Sequence, residues 1–424
     1  MNHFQYIVIG NGLVGSAAGR YLSEWSKSVA VIGPEEPANH QTHDGVYSSH
    51  YDQGRLVRLA SPDPIWHPIS NQAVTKYPSI EAESGVPFHK PTGRIYAKKV
   101  SDAEREEIQA WMTKARSKYG IVYEYVDAHS AAWQAKYPEL AFPDEYEILI
   151  EPNPAGVINP REMKLAQNVI TQKQGGSVIS DQVTAVHSSA DSVEVITKSG
   201  QSHTAEKVLV ACGSFTNFNN LLPAPIPLRY KTETMLWADV SAETAERLKH
   251  LPGMGYDIED EHIDDIYLAP PLLYPDGTYK IKMGCNTMGE SWPTTLEEIQ
   301  FWFQSGNSDA DKEPMERALR SMFPGVDFLK MTTHRCIVTY TPSGYPTIDQ
   351  VPSDPYGRLY VATGGNGTGA QGSDTLGNLA AGLMHDGRWI DEVAREPFLA
   401  THSWDQSHKK RTKAQERASQ LANC

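Results

Sequence analysis

Cysteine is scarce in this chain. Cys212, Cys285, Cys336 and Cys424 are the only four in 424 residues, and no two stand at the short spacing of a zinc or dithiol motif. That excludes a disulfide scaffold, gives no metal site and points to a reduced, cytoplasmic setting in which any special cysteine acts singly. Long apolar runs are missing too: none approaches the roughly 20 residues of a membrane span. The first strand-like run starts within a few residues of Met1, so no secretory leader is expected. Positive charge is in short supply. Lys and Arg total 38 against 52 Asp and Glu, a formal net charge of −14, which argues against a general nucleic-acid surface. Neither an internal repeat nor a low-complexity tract is visible. At 424 residues the chain exceeds the size at which one core keeps growing, so two domains are expected.

What the chain does have is a glycine-rich turn at its start. Tyr6-Ile7-Val8-Ile9 reads as an apolar strand, Gly10-Asn11-Gly12-Leu13-Val14-Gly15 as a Gly-x-Gly-x-x-Gly turn, and Ser16-Ala17-Ala18 as the opening of a helix. Gly10 permits the tight turn, Gly12 lets the backbone approach a pyrophosphate, and Gly15 lets the helix sit close to the strand. The helix N-terminus then offers N–H groups and a positive dipole end to the phosphates. The pattern predicts a dinucleotide site. The second strand, Val29-Ala30-Val31-Ile32, should end in an acid for the adenosine ribose, about 20 residues past the glycines. Gly33-Pro34 stand there instead, with Glu35 and Glu36 just beyond. Either one of these acids reaches the ribose from a longer turn, or the ribose is held otherwise.

Further along, Ser48-Ser49-His50-Tyr51-Asp52-Gln53-Gly54-Arg55-Leu56-Val57-Arg58 carries two arginines three apart, which share a face if the segment is helical. In a net-acidic chain such a pair invites an anionic partner. Ser101 and Glu104 form a capping-box pattern, and Gly120 closes a helix whose stripe of Ile108, Trp111, Met112, Ala115 and Tyr119 reads as core. Glu151-Pro152-Asn153 precedes Asn159-Pro160, an N-cap and first-turn proline for a helix reaching Gly175. Short alternating strands follow, one of them beginning at Val183, and then the buried strand Lys207 to Cys212, with Cys212 a small core residue before Gly213-Ser214-Phe215. From Ile226 to about Met331 the pattern is of antiparallel strands with helices near 295–304 and 314–322; Lys280 and Lys282 share a strand face. Cys336 and Ile348-Asp349 come next. A second glycine-rich loop, Gly364-Gly365-Asn366-Gly367-Thr368-Gly369-Ala370-Gln371-Gly372-Ser373, lies between a strand and a helix near 374–384. A nicotinamide-only enzyme has no obvious use for it. From Asp405 the chain is charged and polar, as in a surface helix or frayed tail.

In this order and spacing, these stretches resemble the flavin-dependent monomeric sarcosine oxidase family, part of the wider D-amino-acid-oxidase-like group, over nearly the whole chain. The resemblance implies an α/β fold: a Rossmann-type FAD-binding domain with a second α+β substrate domain built on an antiparallel sheet. On that basis residues 1–90, 148–225 and 332–390 form the FAD-binding domain, 91–147 and 226–331 the substrate domain, and 391–424 a C-terminal extension. The cofactor contacts it implies come from Gly10, Gly12, Leu13, Val14 and Gly15, from Glu35, Ser48, Ser49 and Arg55, and from Val183 and Gly213. In the second glycine loop they come from Gly364, Gly367, Gly369 and Gln371. Cys336 matches in its spacing to Ile348-Asp349 the family cysteine that forms a thioether with the flavin 8α position. Arg55 matches an arginine near the isoalloxazine ring and Arg58 one that grips the substrate carboxylate, which suits a guanidinium fork. Lys282 matches the lysine that activates oxygen, where a fixed cation stabilises the charge that O₂ acquires.

The substrate side departs from the family pattern. Gln371 stands for a lysine that binds the carboxylate, Thr368 for a histidine in the same loop, Asn286 for a histidine after the oxygen-activating lysine, and Val338 for an aromatic. The expected activity is oxidation of a secondary or primary amine, or an N-substituted amino acid, to an imine, with O₂ reduced to hydrogen peroxide by a monomeric protein. Its partners are that small amine or amino acid and molecular oxygen, with no nucleic acid and no membrane. A flavin dehydrogenase of the same fold with another acceptor, and a non-catalytic FAD-binding interaction protein, are the alternatives.

Overall fold

Asn2–Ile9 lies between Val29–Ile32 and Ser202–Val210 and runs parallel to both. At residues 6–9, 29–32 and 208–210 these strands are apolar on both faces because both faces are covered. Tyr6, Val8, Val29 and Val31 pack on the side of the helices Leu13–Trp25 and Ser373–Asp386; Ile7, Ile9, Ala30 and Ile32 pack with Val183, Val193 and Leu221 on the other. Leu359–Thr363 joins the parallel set beside Val208–Val210, and Thr347–Gln350 turns back on it. The carboxyl ends of four parallel strands therefore meet at one edge, at Gly10, Gly33, Ala211 and Gly364, where open α/β sheets bind their ligands. The computed structural model describes residues 2–404 apart from positions 60, 62 and 121; the tail expected from Asp405 lies outside the described residues.

A second eight-stranded sheet supplies the other half of the α/β architecture. Its order is Lys330–Tyr340, Arg229–Val240, Tyr279–Thr287, Ile263–Leu273, Gly253–Tyr256, Arg94–Lys99, Tyr146–Glu151 and Glu124–Asp127. All neighbours are antiparallel except the parallel pair Gly253–Tyr256 and Arg94–Lys99. The strands Tyr146–Glu151 and Lys330–Tyr340 run across the expected boundaries at 148 and 332 and belong to this sheet. Its outer face is closed by the cluster of Ile95, Ile148, Leu236, Ile281 and Leu319, to which the helix Asp309–Met322 contributes.

One condition is not met and one local expectation changes. Arg55–Val57 is a strand that pairs with Gly156–Ile158, so the helical condition for Arg55 and Arg58 to share a face does not hold. The helix Asp102–Tyr119 has its capping box and ends at Gly120 in the left-handed region at φ 69°. Its stripe is not core, however. Among its described side chains only Ala115 is buried, while Ile108, Trp111 and Met112 are half-buried, because the helix stands over a cavity rather than on a packed cluster; the Tyr119 side chain lies outside the described residues.

Candidate active site

One cavity of about 1120 Å³ opens at the carboxyl edge of the parallel strands and is lined from both sheets. The first glycine turn forms part of its wall. Gly10 has φ 105°, and a Cβ there would sit 2.3 Å from the Ala211 carbonyl oxygen. A Cβ on Gly15 would sit 1.8 Å from Gly10 O, so the helix approaches the strand only without one. Gly12 differs: a Cβ would find Ser48 Oγ at 3.7 Å and His50 Nδ1 at 3.9 Å, ordinary contacts. The protein itself tolerates a side chain at position 12; a group lying against the turn would not. No side chain caps the helix at Gly12, so its first N–H groups are left for such a group. Asn11 Oδ1, buried in the same wall, has no hydrogen-bond partner among the described residues.

A second uncapped helix start, Gly372 ahead of Ser373–Asp386, adjoins the same cavity. Gly364 and Gly367, with φ 80° and 74°, bend the loop before it. Two helix N-termini and two glycine loops on one elongated cavity suit a dinucleotide with a second ring system at its far end, and the residues present fit FAD.

Most of the expected residues come together here. Gly10, Gly12, Leu13, Val14, Ser48, Ser49, Val183, Gly213, Gly364, Gly367, Gly369, Arg55, Arg58, Cys336, Asn286, Thr368 and Gln371 all line the cavity. Gly15, Glu35 and Lys282 are not in its wall. Gly15 acts in packing. Glu35 turns to solvent, its side chain 69% exposed and 3.9 Å from Lys164. Glu36 is gripped by Arg161 at 2.6 and 2.7 Å; burial would raise its pKa, but the Arg161 fork overrides this and holds it at about 2. Gly33 has its own reason: a Cβ there would lie 2.5 Å from Asn11 N, so the turn leaves no room for an acid.

Lys282 is instead part of a buried charge cluster. Its Nζ donates to Asp52 Oδ2 at 2.6 Å and to Gly54 O at 3.0 Å, with the side chain 1% exposed. Arg55 Nη1 donates to the same Asp52 oxygen and Tyr274 OH to its other oxygen at 2.7 Å. Burial would raise the Asp52 pKa, but Lys282 and Arg55 pull it well below the carboxylate range. Burial and then Arg55 lower the Lys282 pKa, against the pull of Asp52. Asp52 thus joins the two expected cations, and it lies inside the Ser48–Arg58 stretch that pointed to Arg55. Cys336 lies in the wall with its thiol pKa raised by burial and then by Glu233, against Arg55 and Lys282. Cys212 packs as expected and donates its S–H to Ile9 O at 3.3 Å, while also bordering the cavity.

Strand register explains the opposite wall, since directly paired residues share a face. Glu233 pairs with Cys336 and Lys231 with Val338; Tyr267 pairs with Gly284 and Gly255, Gly255 with Tyr96, Tyr96 with Leu149, and Leu149 with Tyr125. One sheet face thus lines the cavity from Cys336 to Tyr125. On it, Tyr267 OH donates to Glu233 Oε1 at 2.8 Å. Lys231 Nζ donates to Asn286 Oδ1 at 2.7 Å and pairs with Glu290 at 3.0 Å, and Asn286 Nδ2 donates to Asp264 at 2.6 Å. Lys231 and Glu233 were missed, although charged residues two apart in a long buried strand were the signal.

Arg58 Nη2 donates to Thr368 Oγ1 at 3.2 Å, and its backbone N–H donates to Gln371 Oε1 at 2.8 Å. Gln371 Nε2 in turn donates to Ser70 Oγ at 2.8 Å. Both ends of the Gln371 amide therefore hold the protein together around Arg58. Burial and then Arg94 lower the Arg58 pKa, opposed by Glu151 and Asp265.

The family described as FAD dependent oxidoreductase matches residues 5–383. An N-methyl-L-tryptophan oxidase from Yersinia pestis (strain Pestoides F) is 24% identical over 384 residues, which cover 90% of this chain and 95% of that protein. Among solved structures, NikD, an unusual amino acid oxidase essential for nikkomycin biosynthesis, aligns with a TM-score of 0.70 at 17% identity, covering 97% of this chain and 100% of that one. L-proline dehydrogenase from P. horikoshii aligns with a TM-score of 0.68 at 16% identity, covering 94% and 97%. At these identities the likeness is one of fold, which oxidases and a dehydrogenase share.

Proposed function

The chain belongs to the FAD dependent oxidoreductase family, and from that premise we propose that it oxidises a secondary or primary amine, or an N-substituted amino acid, to an imine, with O₂ reduced to hydrogen peroxide. The observation that carries this reading is the cavity itself. It joins a pyrophosphate cradle at Gly12 to an arginine, Arg58, set beside Thr368 on the far side. FAD, when bound, would accept a hydride, the electron pair of a C–H bond on the carbon next to the nitrogen, as the nitrogen gives up a proton and the imine forms. The chain's residues do the positioning: Arg58 takes a substrate carboxylate as a fork, and Glu233, steadied by Tyr267, accepts from the substrate nitrogen. Arg55 and Lys282, tied by Asp52, set a positive field beside the site. The sheet face from Cys336 to Tyr125 limits water.

A thioether to FAD through Cys336 belongs to this proposal, supported by the cysteine's place in the cavity wall. So do a monomeric state, a cytoplasmic location, which the scarcity of cysteine supports, and the division into an FAD-binding and a substrate domain. Among the described residues no helix is long and apolar enough to cross a membrane.

The test is a panel of amines and N-methyl amino acids mixed with the holoenzyme under argon, followed by air. Bleaching of the flavin and then stoichiometric peroxide is the expected result; no bleaching across the panel would overturn the reading. Acid-precipitated protein should stay yellow and lose that colour in Cys336→Ser, whereas a colourless parent pellet would remove the thioether. The dehydrogenase alternative has one observation in its favour: Lys282 is committed to Asp52 and lies outside the cavity wall. Slow reoxidation of the reduced protein by O₂ in stopped flow would select it.

A further inference from the structure

We propose that the cavity continues into a second chamber that takes an uncharged aromatic group at the far end of the substrate. The identity of that substrate rests on the amine-oxidation reading; the chamber rests on its own residues.

Tyr96, Tyr125 and Leu149 form its floor on the sheet, and Ile108 and Trp111 of the helix Asp102–Tyr119 form its roof. The two faces of these strands differ. On the outer face Ile95, Ala97 and Ile148 are 0% exposed and Ile150 6%. On the cavity face Tyr96, Tyr125 and Leu149 remain half-buried, and so do Ile108 and Trp111 opposite them. An amphipathic helix laid on a sheet normally closes such a gap, because interiors pack to crystal-like density. Here the hydrophobic clusters take in neither Ile108 nor Trp111, and among the described elements no strand packs closely along the helix.

The gap is held rather than slack. The helix has both its caps, and two ion pairs tie its first turns to the sheet: Arg105 Nε to Glu147 at 3.0 Å and Lys98 Nζ to Glu104 at 2.8 Å. Lys98 and Glu147 are themselves paired across neighbouring strands on the cavity face. These pairs keep the helix at one standoff and leave an aromatic-lined space behind it.

The chemistry of the lining selects the ligand. Three aromatic rings, an isoleucine and a leucine suit a flat apolar group. Of the charged residues beside it, Lys98 and Glu147 already have partners and Glu107 stands exposed to solvent, so a charged tail gains little from them. Three strand spacings, roughly 14 Å, separate Tyr267 from Leu149, beyond the reach of an amine the size of sarcosine. The substrate therefore carries an aryl-terminated arm on its nitrogen or its side chain.

The test uses the holoenzyme and a series of ω-phenyl carboxylates from phenylacetate to 8-phenyloctanoate, with binding read from the change in flavin absorbance. Affinity should rise at least tenfold from phenylacetate to the mid-length members. Trp111→Ala should abolish that rise, while phenylacetate, too short to reach, binds variant and parent alike. Ile108→Trp, which fills the chamber without removing a wall, should weaken the long ligands at least tenfold. Equal affinity across the series, or a Trp111→Ala loss shared by all members, would overturn the chamber. Failure of every amine to bleach the flavin would instead strike the reaction and leave these binding constants standing.

Discussion

Asp52→Asn isolates the charge cluster beside the site. The Asp52 carboxylate is buried and accepts from Arg55 Nη1, Lys282 Nζ at 2.6 Å, Tyr274 OH at 2.7 Å and Gln53 N at 2.8 Å. At an effective dielectric of 20, unit charges 2.6 Å apart attract by roughly 6 kcal/mol. Desolvation offsets much of this in the intact cluster. Removing the anion alone leaves two cations buried together, which costs about 3–5 kcal/mol, a large part of the roughly 5–15 kcal/mol that holds a domain folded. Urea unfolding of parent and variant, each with FAD bound, should show a loss of that size. The variant should also gain a pH dependence. Asp52 is what opposes the lowering of the Lys282 pKa by burial and Arg55; without it the pKa falls further, and Lys282 loses its proton in a lower pH range than in the parent. Reoxidation by O₂ should then slow as pH rises through that range, while the parent stays level. A stability loss under about 1 kcal/mol together with a level pH profile would refute the cluster as an electrostatic unit.

Other expectations follow from single contacts. Gly12→Ala should unfold within about 0.5 kcal/mol of the parent, since its Cβ meets nothing nearer than 3.7 Å, yet titration of the apoprotein should show FAD affinity falling at least tenfold. Gly33→Asp, which restores the usual ribose acid, should weaken FAD binding rather than strengthen it, because its Cβ would lie 2.5 Å from Asn11 N; tighter binding by equilibrium dialysis would contradict this. Burial holds His50 and His334 neutral with pKa values of about 3. Both are bases with depressed folded pKa values, so the unfolded chain takes up their protons first, and stability is lost as pH falls below about 6.5. The expected loss is roughly 2 kcal/mol for each by pH 5, and urea midpoints equal at pH 7.5 and pH 5 would refute it.

The cofactor end was legible in the sequence and the substrate end much less so, for a physical reason. Gly10 and Gly15 are demanded by backbone atoms that approach within a few residues or across one strand, and the Ser101–Glu104 capping box is wholly local. Such constraints write themselves into short motifs. Asp52 depends on Lys282, more than 200 residues away, and Glu233 gains its place in the wall by pairing with Cys336. The Ile108–Trp111 stripe had the helical period of core and was read so; only the ion pairs at Arg105 and Lys98 reveal that the helix is held off the sheet. Glu35 or Glu36 reaching the ribose was one of the open alternatives, but Gly33 is fixed by steric closeness to Asn11, Glu35 faces Lys164 and Glu36 is held by Arg161.

On the proposed reading, the charges that remain after internal pairing give the substrate an orientation. Arg55 and Lys282 share Asp52, Arg94 takes Glu151, and Lys231 takes Glu290. Arg58 has a neutral hydroxyl, Thr368 Oγ1, on its guanidinium, and Glu233 has a neutral hydroxyl, Tyr267 OH, on its carboxylate. Of the charged groups in the wall these two are the best placed to meet an external carboxylate and an external amine. The aryl arm goes to a third wall, at Tyr96 and Trp111. For a substrate in which nitrogen, carboxylate and arm diverge from one carbon, three walls fix three directions, and the fourth substituent, the hydrogen, is left pointing at the cofactor in one hand only. Stereoselectivity then needs no residue that discriminates by itself. It follows from the separation of Arg58, Glu233 and Trp111 onto different elements, which is also why no single stretch of sequence announces it.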